Sequence, residues 1–207
     1  MNYESLIFDI DGTLWDSRAL VAEGYNIQLA KEGLQHLSMN AEMFKPLFGK
    51  VMTEIADAIF SSIPVEERYD LMERCMESEN RYLHENECKI GYPGVVETIA
   101  ELAKKHRLFI VSNSQCGYPE LCIRKLGLED YILDHLCFGD TGTSKGKTIR
   151  TLMEKHNITS CAYIGDTQGD YEATLEAEVP FIWANYGFGT PDGYDYQIGK
   201  MEELLTL

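Results

Sequence analysis

Two short acidic segments carry the side chains best suited to chemistry. Asp9 and Asp11 stand two residues apart in the sequence DIDGT, directly after the apolar run 6–8. Asp166 and Asp170 stand in the sequence GDTQGD, after another apolar run. Carboxylates held close together repel each other, and hard oxygen ligands of this kind are those that Mg²⁺ prefers. One acidic pair alone is typical of a solvated turn, but two such pairs predict a shared divalent-cation site.

Polar and basic residues elsewhere in the chain complement these acids. Ser112 and Asn113 follow the apolar run 108–111, and they offer a hydroxyl, an amide side chain and backbone N–H donors. Such donors suit the oxygens of a phosphoryl group. Lys145, just before a predicted helix, offers a cation. Lys147 is an alternative, but we favour Lys145 because Lys147 falls in the first turn of that helix.

The elements that must position these residues follow from the apolar runs, several of which stop abruptly at polar loop residues. Strands are predicted at 6–8, 108–111, 135–138, 161–164 and 179–184. Buried strands of this kind are typical of a parallel sheet, whose carboxyl ends meet at one edge. Apolar residues recur at helical spacing over 95–103 and 149–156. From residue 90 onward the alternation predicts an α/β fold with a doubly wound parallel sheet.

Residues 15–88 follow a different pattern. They contain no strong β-branched run, and their apolar residues recur at helical spacing, as at Val51, Ile55 and Ile59. This predicts a small all-helical domain over 15–88, inserted after the first strand. The α/β core is then formed by 1–14 and 89–207.

Composition excludes several classes of function. The 207 residues carry 34 acidic and 18 basic side chains, a net charge of −16. A phosphate backbone requires a basic face, and an anionic membrane would repel this chain, so we expect neither nucleic acid nor membrane as a partner. No apolar run approaches the roughly 18 residues of a membrane span. The N-terminal segment lacks a basic region, so we expect a cytoplasmic protein.

The cysteines and two short motifs give weaker signals. Six cysteines occur, none in a CxxC pair, and we expect them to be free thiols in a reducing environment. The sequence GTSKG matches the nucleophile elbow of serine hydrolases, but His156 is the only later histidine and lies on the same predicted helix. The sequence GTSKGKT is one residue short of a P-loop. We disfavour both interpretations.

The order of the motifs resembles that of the haloacid dehalogenase (HAD) superfamily. DxDGT comes first, then apolar residues with Ser112-Asn113, then Lys145, then GDxxxD. The helical insert after the first motif resembles the C1-cap branch, and within it the phosphoglycolate-phosphatase-type hydrolases. The resemblance covers essentially the whole chain. The third motif departs from the pattern, since the family often has Lys-Pro where this chain has Lys145-Gly146.

The resemblance implies a Rossmann-like core and a Mg²⁺-dependent phosphatase that hydrolyses a small phosphorylated metabolite through an aspartyl-phosphate. Asp9 would be the nucleophile and Asp11 the general acid and base. The implied metal ligands are Asp9, the backbone carbonyl of Asp11, Asp166 and Asp170, the last directly or through water. The implied phosphate-binding set comprises Ser112, Asn113, Lys145, Gly12 and Thr13.

The helical insert and the alternatives complete the expectations. Lys50, in the sequence LFGK, resembles a cap-loop residue that faces the active site and could bind a substrate anion; the alternative is a solvated surface lysine. Trp15 could line the cleft or serve only in packing. Two other functions stay open: a β-phosphoglucomutase-like phosphotransferase, and a non-catalytic phosphate- or metal-binding module. Both a monomer and a homodimer are compatible with the sequence.

Overall fold

The structure is a computed structural model, and it describes residues 3–87 and 89–207. The expectation that Cys88 is a free thiol lies outside the described residues. The chain divides into two compact units, Met1–Asp16 with Gly91–Leu207, and Ser17–Ile90. Among the helices of the described ranges, none is both long and apolar enough to cross a membrane.

Six strands in the larger unit form one parallel sheet. In chain order they are β1 Ser5–Phe8, β2 Arg107–Ser112, β3 Ile132–Cys137, β4 Cys161–Gly165, β5 Phe181–Ala184 and β6 Tyr196–Ile198. Their order in the sheet is β3-β2-β1-β4-β5-β6, with every neighbouring pair parallel. This order confirms the predicted doubly wound sheet.

The helices in chain order are α1 Arg18–Lys31, α2 Ala41–Phe44, α3 Met52–Ile59, α4 Val65–Glu85, α5 Val95–Leu102, α6 Tyr118–Leu126, α7 Phe138–Thr141, α8 Lys145–His156 and α9 Gln168–Ala177. Short 3₁₀ turns occupy Gln35–Leu37 and Met201–Thr206. Within Ser17–Ile90 the described residues contain helices and turns but no strand.

Two strands differ from their predicted ranges by more than one residue at an end. Strand β3 begins three residues before the predicted 135, and Phe138 opens helix α7 instead of ending the strand. Strand β5 begins at Phe181, two residues after the predicted start at 179. Strand β6 was not predicted, because its three residues, Tyr-Gln-Ile, form no apolar run.

Apolar side chains of the sheet pack against the helices that cover it. Every residue of β1 is buried, as expected for a parallel strand covered on both faces. On one face Ile7, Phe109 and Tyr163 pack with Ile149 and Leu152 of α8. Burying side chains of this size contributes about 1.5–3 kcal/mol each, so this face anchors α8 firmly.

The register of the central strands aligns their carboxyl ends. Phe8, the last residue of β1, pairs with Ile110 of β2 and Ile164 of β4. The backbone N–H of Asp9 donates to the carbonyl of Ile164 at 2.8 Å. From β1 the chain adds β2 and β3 on one side, and it then returns to add β4, β5 and β6 on the other side of β1. The topological switch point therefore lies between β1 and β4. Ligands of doubly wound folds bind at such a switch point.

The smaller unit is organised around α1 and α4. Tyr25 of α1 is buried, and its ring meets that of Phe44 edge to face at 5.0 Å. Arg74 of α4 makes a forked ion pair with Glu32, at 2.6 and 2.8 Å. The Tyr25–Phe44 contact joins α1 to α2, and the Arg74–Glu32 pair joins α4 to the residue that follows α1.

Candidate active site

Four buried charged side chains meet at the carboxyl edge of the sheet. Asp9 follows β1, Asp166 follows β4, Asp170 lies in the first turn of α9 and Lys145 begins α8. Each of the four is at most 5% exposed. One oxygen from each of the three carboxylates lies within 4.8 Å of the others. The structure therefore brings together the two acidic segments that the sequence placed at one edge.

Lys145 is the cation of this cluster. Its Nζ lies 2.9 Å from Oδ1 of Asp9 and 2.6 Å from Oδ1 of Asp170. Burial alone would lower the pKa of Lys145, but the two carboxylates outweigh it and raise that pKa, so the side chain stays an ammonium. Lys145 is the first residue of α8 instead of preceding it, and Ser144 caps the helix. Lys147 is exposed and is not among the partners of these carboxylates.

Asp170 is held by protein donors on both of its oxygens. Oδ2 accepts from the backbone N–H groups of Asp166 and Thr167 and from the Thr167 hydroxyl, at 2.7–3.1 Å. Oδ1 accepts from Lys145 and from the hydroxyl of Tyr163. Burial would raise the pKa of Asp170, but Lys145 and the Thr167 donors outweigh it and lower that pKa. These five hydrogen bonds aim Asp170 at Lys145, and its predicted contact with a metal stays a prediction.

Asp166 has the opposite environment. Its Oδ2 accepts from the backbone N–H of Phe188 at 2.7 Å, whereas Oδ1 is buried with no hydrogen-bond partner in residues 3–87 and 89–207. Gly12 has a φ of 83°, and a Cβ there would lie 2.1 Å from Oδ2 of Asp166, so only glycine fits. Burial, reinforced by Asp170 and Asp9, raises the pKa of Asp166 well above its usual range.

The cluster fits a divalent cation. Burial raises the pKa of Asp9 to about 7, although Lys145 partly offsets the effect. When Asp9, Asp166 and Asp170 are ionised, the single ammonium of Lys145 leaves two negative charges uncompensated. Mg²⁺ carries the matching charge and takes hard oxygen ligands. Oδ1 of Asp166, which is buried without a partner in the part of the chain that the structure describes, is the ligand atom that such an ion would satisfy.

Asp11 is oriented by two side chains whose role the sequence did not reveal. Its Oδ1 accepts from the indole N–H of Trp15 at 2.8 Å and from the hydroxyl of Tyr118 at 2.9 Å. The two rings pack edge to face, with centroids 5.5 Å apart. The four-residue spacing of Trp15 from Asp11 was a weak signal, since a turn can return a side chain to that carboxylate. Tyr118 gave no signal, because 107 residues separate it from Asp11.

The remaining predicted residues of this unit also lie at the same edge. Ser112 ends β2 and is buried, and its Oγ accepts from the backbone N–H of Ser114 at 3.2 Å. Asn113 follows and is half-buried. Thr13 is buried, and its carbonyl accepts from the hydroxyl of Tyr186 at 2.8 Å.

Lys50 belongs to the other unit, Ser17–Ile90. It is exposed, and its Nζ lies 3.8 Å from Oε2 of Glu54, one helical turn further along the chain. An exposed pair of this kind contributes little to stability. The predicted contact of Lys50 with a substrate anion stays a prediction.

Sequence comparison decides the family. The model of the family described as haloacid dehalogenase-like hydrolase matches residues 6–184, which include the whole carboxylate cluster. The chain belongs to the haloacid dehalogenase-like hydrolase family.

Two relatives are distant in sequence but align with most of the chain. A phosphoglycolate phosphatase of Agrobacterium fabrum is 28% identical over 88% of this chain and 80% of its own length. A 5'-nucleotidase of Pseudomonas aeruginosa is 23% identical over 93% of this chain and 87% of its own. The chain is thus similar both to a phosphoglycolate phosphatase and to a 5'-nucleotidase.

A solved structure shares the fold. The crystal structure of a predicted phosphoglycolate phosphatase from Haemophilus somnus superposes with a TM-score of 0.84 at 19% identity. The alignment covers all of this chain and 98% of the other. This likeness supports the fold independently of the motifs.

Asp166→Asn tests whether the buried cluster stores unfavourable charge. Because the folded-state pKa of Asp166 is raised, ionising this group costs stability as pH rises above its unfolded pKa of about 3.9. At pH 8 in EDTA we expect Asp166→Asn to be more stable than the wild type by at least about 1 kcal/mol, or roughly 2–4 °C in Tm. At pH 5 the difference should shrink, since the cost that the raised pKa imposes accumulates as the pH rises.

Thermal unfolding measured by circular dichroism checks this expectation. The matched control is Asp130→Asn on the exposed surface, which should change stability by less than about 0.5 kcal/mol. An Asp166→Asn protein that is less stable than the wild type at pH 8 in EDTA would contradict the electrostatic account.

Proposed function

We propose that this chain is a Mg²⁺-dependent phosphatase that hydrolyses a small phosphomonoester through an aspartyl-phosphate on Asp9. The observation that carries the proposal is the buried Asp9 carboxylate, bonded to Lys145 and clustered with Asp166, whose Oδ1 has no hydrogen-bond partner among the described residues. Membership of the hydrolase family supports it. The names of the relatives favour phosphoglycolate or a nucleoside monophosphate as the substrate class.

The metal ligands that we assign are Asp9, Asp166 and the backbone carbonyl of Asp11. Mg²⁺ bound there would neutralise charge on the oxygens of the transferring phosphoryl group. Asp170 is assigned a positioning role, because its oxygens already accept five hydrogen bonds and one of these comes from Lys145.

In the first half-reaction an oxygen of Asp9 attacks phosphorus. Lys145 binds Oδ1 of Asp9, so Oδ2 is the oxygen that we assign to the attack. The bond between phosphorus and the leaving oxygen breaks, and Asp11 in its acid form gives that oxygen a proton. Lys145, Ser112 and Asn113 bind the oxygens of the phosphoryl group, so that catalysis consists mainly of positioning and charge neutralisation.

In the second half-reaction water replaces Asp9. Asp11, now a carboxylate, removes a proton from the water as its oxygen bonds to phosphorus. The bond between phosphorus and Asp9 then breaks, which releases inorganic phosphate and restores the ionised Asp9 and the protonated Asp11. Trp15 and Tyr118 hold Oδ1 of Asp11, so we assign to them the orientation of this carboxyl group in both proton transfers.

Asp9→Asn tests the proposed nucleophile. We expect it to lower kcat at least about 10³-fold with p-nitrophenyl phosphate, 2-phosphoglycolate and nucleoside 5'-monophosphates, because an amide oxygen is a poor nucleophile. EDTA should abolish wild-type turnover, and Mg²⁺ should restore it. Asp130→Asn, on the exposed surface, is the control and should keep full activity.

Three results would count against the phosphatase. Full turnover by Asp9→Asn would exclude the proposed nucleophile, and turnover insensitive to EDTA would exclude the metal. Conversion of glucose 1-phosphate to glucose 6-phosphate, without net release of phosphate, would instead indicate the phosphotransferase.

Trp15→Phe tests the orientation of Asp11. Losing one hydrogen bond to a carboxyl group, worth about 1.5–3 kcal/mol, should lower kcat roughly 10- to 100-fold with an alkyl phosphate. With p-nitrophenyl phosphate the loss should be smaller, since its leaving group needs little protonation. KM should change little with either substrate. Equal losses with both substrates would reduce Trp15 to a packing residue.

Trp183→Phe is the matched control for Trp15→Phe. The indole nitrogen of Trp183 is buried in β5 and has no hydrogen-bond partner within the described ranges. Its replacement should therefore leave the dependence on the leaving group unchanged.

A further inference from the structure

We propose that Cys116, Cys137 and Asp140 form a second metal site, which takes a thiophilic divalent cation such as Zn²⁺. Cys116 lies in the loop that follows β2, Cys137 is the last residue of β3, and Asp140 lies in α7. The two sulfurs and one carboxylate oxygen all lie within 4.8 Å of one another. Tetrahedral zinc with bonds to sulfur of about 2.3 Å places two sulfurs roughly 3.8 Å apart, so only a small contraction is needed.

The carboxylate of Asp140 is held between the two thiols. Its Oδ2 accepts from the backbone N–H of Cys137 at 2.8 Å and from Sγ of the same residue at 3.1 Å. Its Oδ1 accepts from Sγ of Cys116 at 3.5 Å. The bond to the backbone belongs to the cap of α7, but a cap does not require the contact with Cys116. Asp140 thus contacts both sulfurs, one through each of its carboxylate oxygens.

The neighbouring backbone leaves room for this approach. A Cβ on Gly139 would lie 2.5 Å from the backbone nitrogen of Cys116 and 2.8 Å from its Sγ. The N–H of Gly139 also donates to the carbonyl of Ser114 at 3.1 Å, which ties the loop to α7. Any larger residue at 139 would push Cys116 away from the other two ligands.

The chemistry of the ligands separates this site from the carboxylate cluster around Asp9. Two thiolates and one carboxylate select a soft or borderline cation, whereas Mg²⁺ prefers the oxygen ligands at the other site. On binding, each thiol releases its proton to solvent, so that one Zn²⁺ replaces two protons. Cys137 is buried and Cys116 is exposed, which gives the ion a path from solvent and leaves a fourth position for water.

A metal at this site would affect the loop between β2 and α6. The loop that carries Cys116 joins Ser112, at the end of β2, to Tyr118, the first residue of α6. A metal bound by Cys116, Cys137 and Asp140 would tie this loop to the end of β3 and to α7. We therefore expect bound Zn²⁺ to raise Tm, independently of any turnover.

Spectroscopic titration of the full chain with Co²⁺ tests the proposal. After treatment with EDTA and a reductant, the protein should bind one equivalent of Co²⁺ with a sulfur-to-metal charge-transfer band in the near ultraviolet, and Zn²⁺ should displace it. Co²⁺ at the carboxylate cluster lacks thiolate ligands and gives no such band. Cys116→Ser should lose at least half of the band, and Asp140→Asn should weaken binding at least about 10-fold. Cys161→Ser, a buried thiol of β4, should change neither property.

Several outcomes would overturn the site. These are absence of the band in the wild type, an unchanged band in Cys116→Ser, and an equal loss in Cys161→Ser. Because Cys116 is exposed, we expect Cys116→Ser to fold. The test therefore stays decisive even if Cys137→Ser does not fold. Formation of a Cys116–Cys137 disulfide under air, in the presence of saturating Zn²⁺, would also contradict the proposal.

Discussion

The ammonium of Lys145, buried between Asp9 and Asp170, is the interaction on which the site depends. Three carboxylates buried together would take up protons, because neither desolvation nor mutual repulsion favours their charged forms. One cation reverses this for Asp170 but only partly for Asp9. The excess of negative charge that remains favours the binding of a divalent cation by the cluster. A buried ion pair lowers stability unless additional hydrogen bonds compensate both groups for the loss of water. The hydrogen bonds to Asp170 provide this compensation.

The fold supplies this geometry through elements whose own stability does not depend on the charges. Strands β1 and β4 end at the same level because their apolar residues pair in register, which sets Asp9 beside Asp166. Helix α8 is anchored by Ile149 and Leu152, so its first residue, Lys145, is held where the carboxylates need it. Functional sites commonly reduce the stability of a protein. In this chain Asp166 does so, because its buried Oδ1 has no hydrogen-bond partner among residues 3–87 and 89–207.

The sequence predicts the backbone plan and the acidic cluster well, because both follow from apolar runs that end at charged turns. The sequence is less informative about contacts between residues that lie far apart along the chain. Tyr118 and Asp11 are 107 residues apart, and Cys116 and Asp140 are 24 residues apart. No periodicity in the sequence predicts either contact. Asp170 is an intermediate case. The sequence Thr-Gln-Gly-Asp already fits a helix cap, which could have indicated that this carboxylate is occupied by backbone donors.

The most direct measurement of the central claim is the anomalous difference density of a crystal soaked with Mn²⁺ in place of Mg²⁺. The account predicts one strong peak bonded to a carboxylate oxygen of Asp9 and to Oδ1 of Asp166, with Lys145 still paired to Asp170. A peak located elsewhere, or carboxylates of Asp9 and Asp166 that turn away from each other around an empty centre, would contradict it.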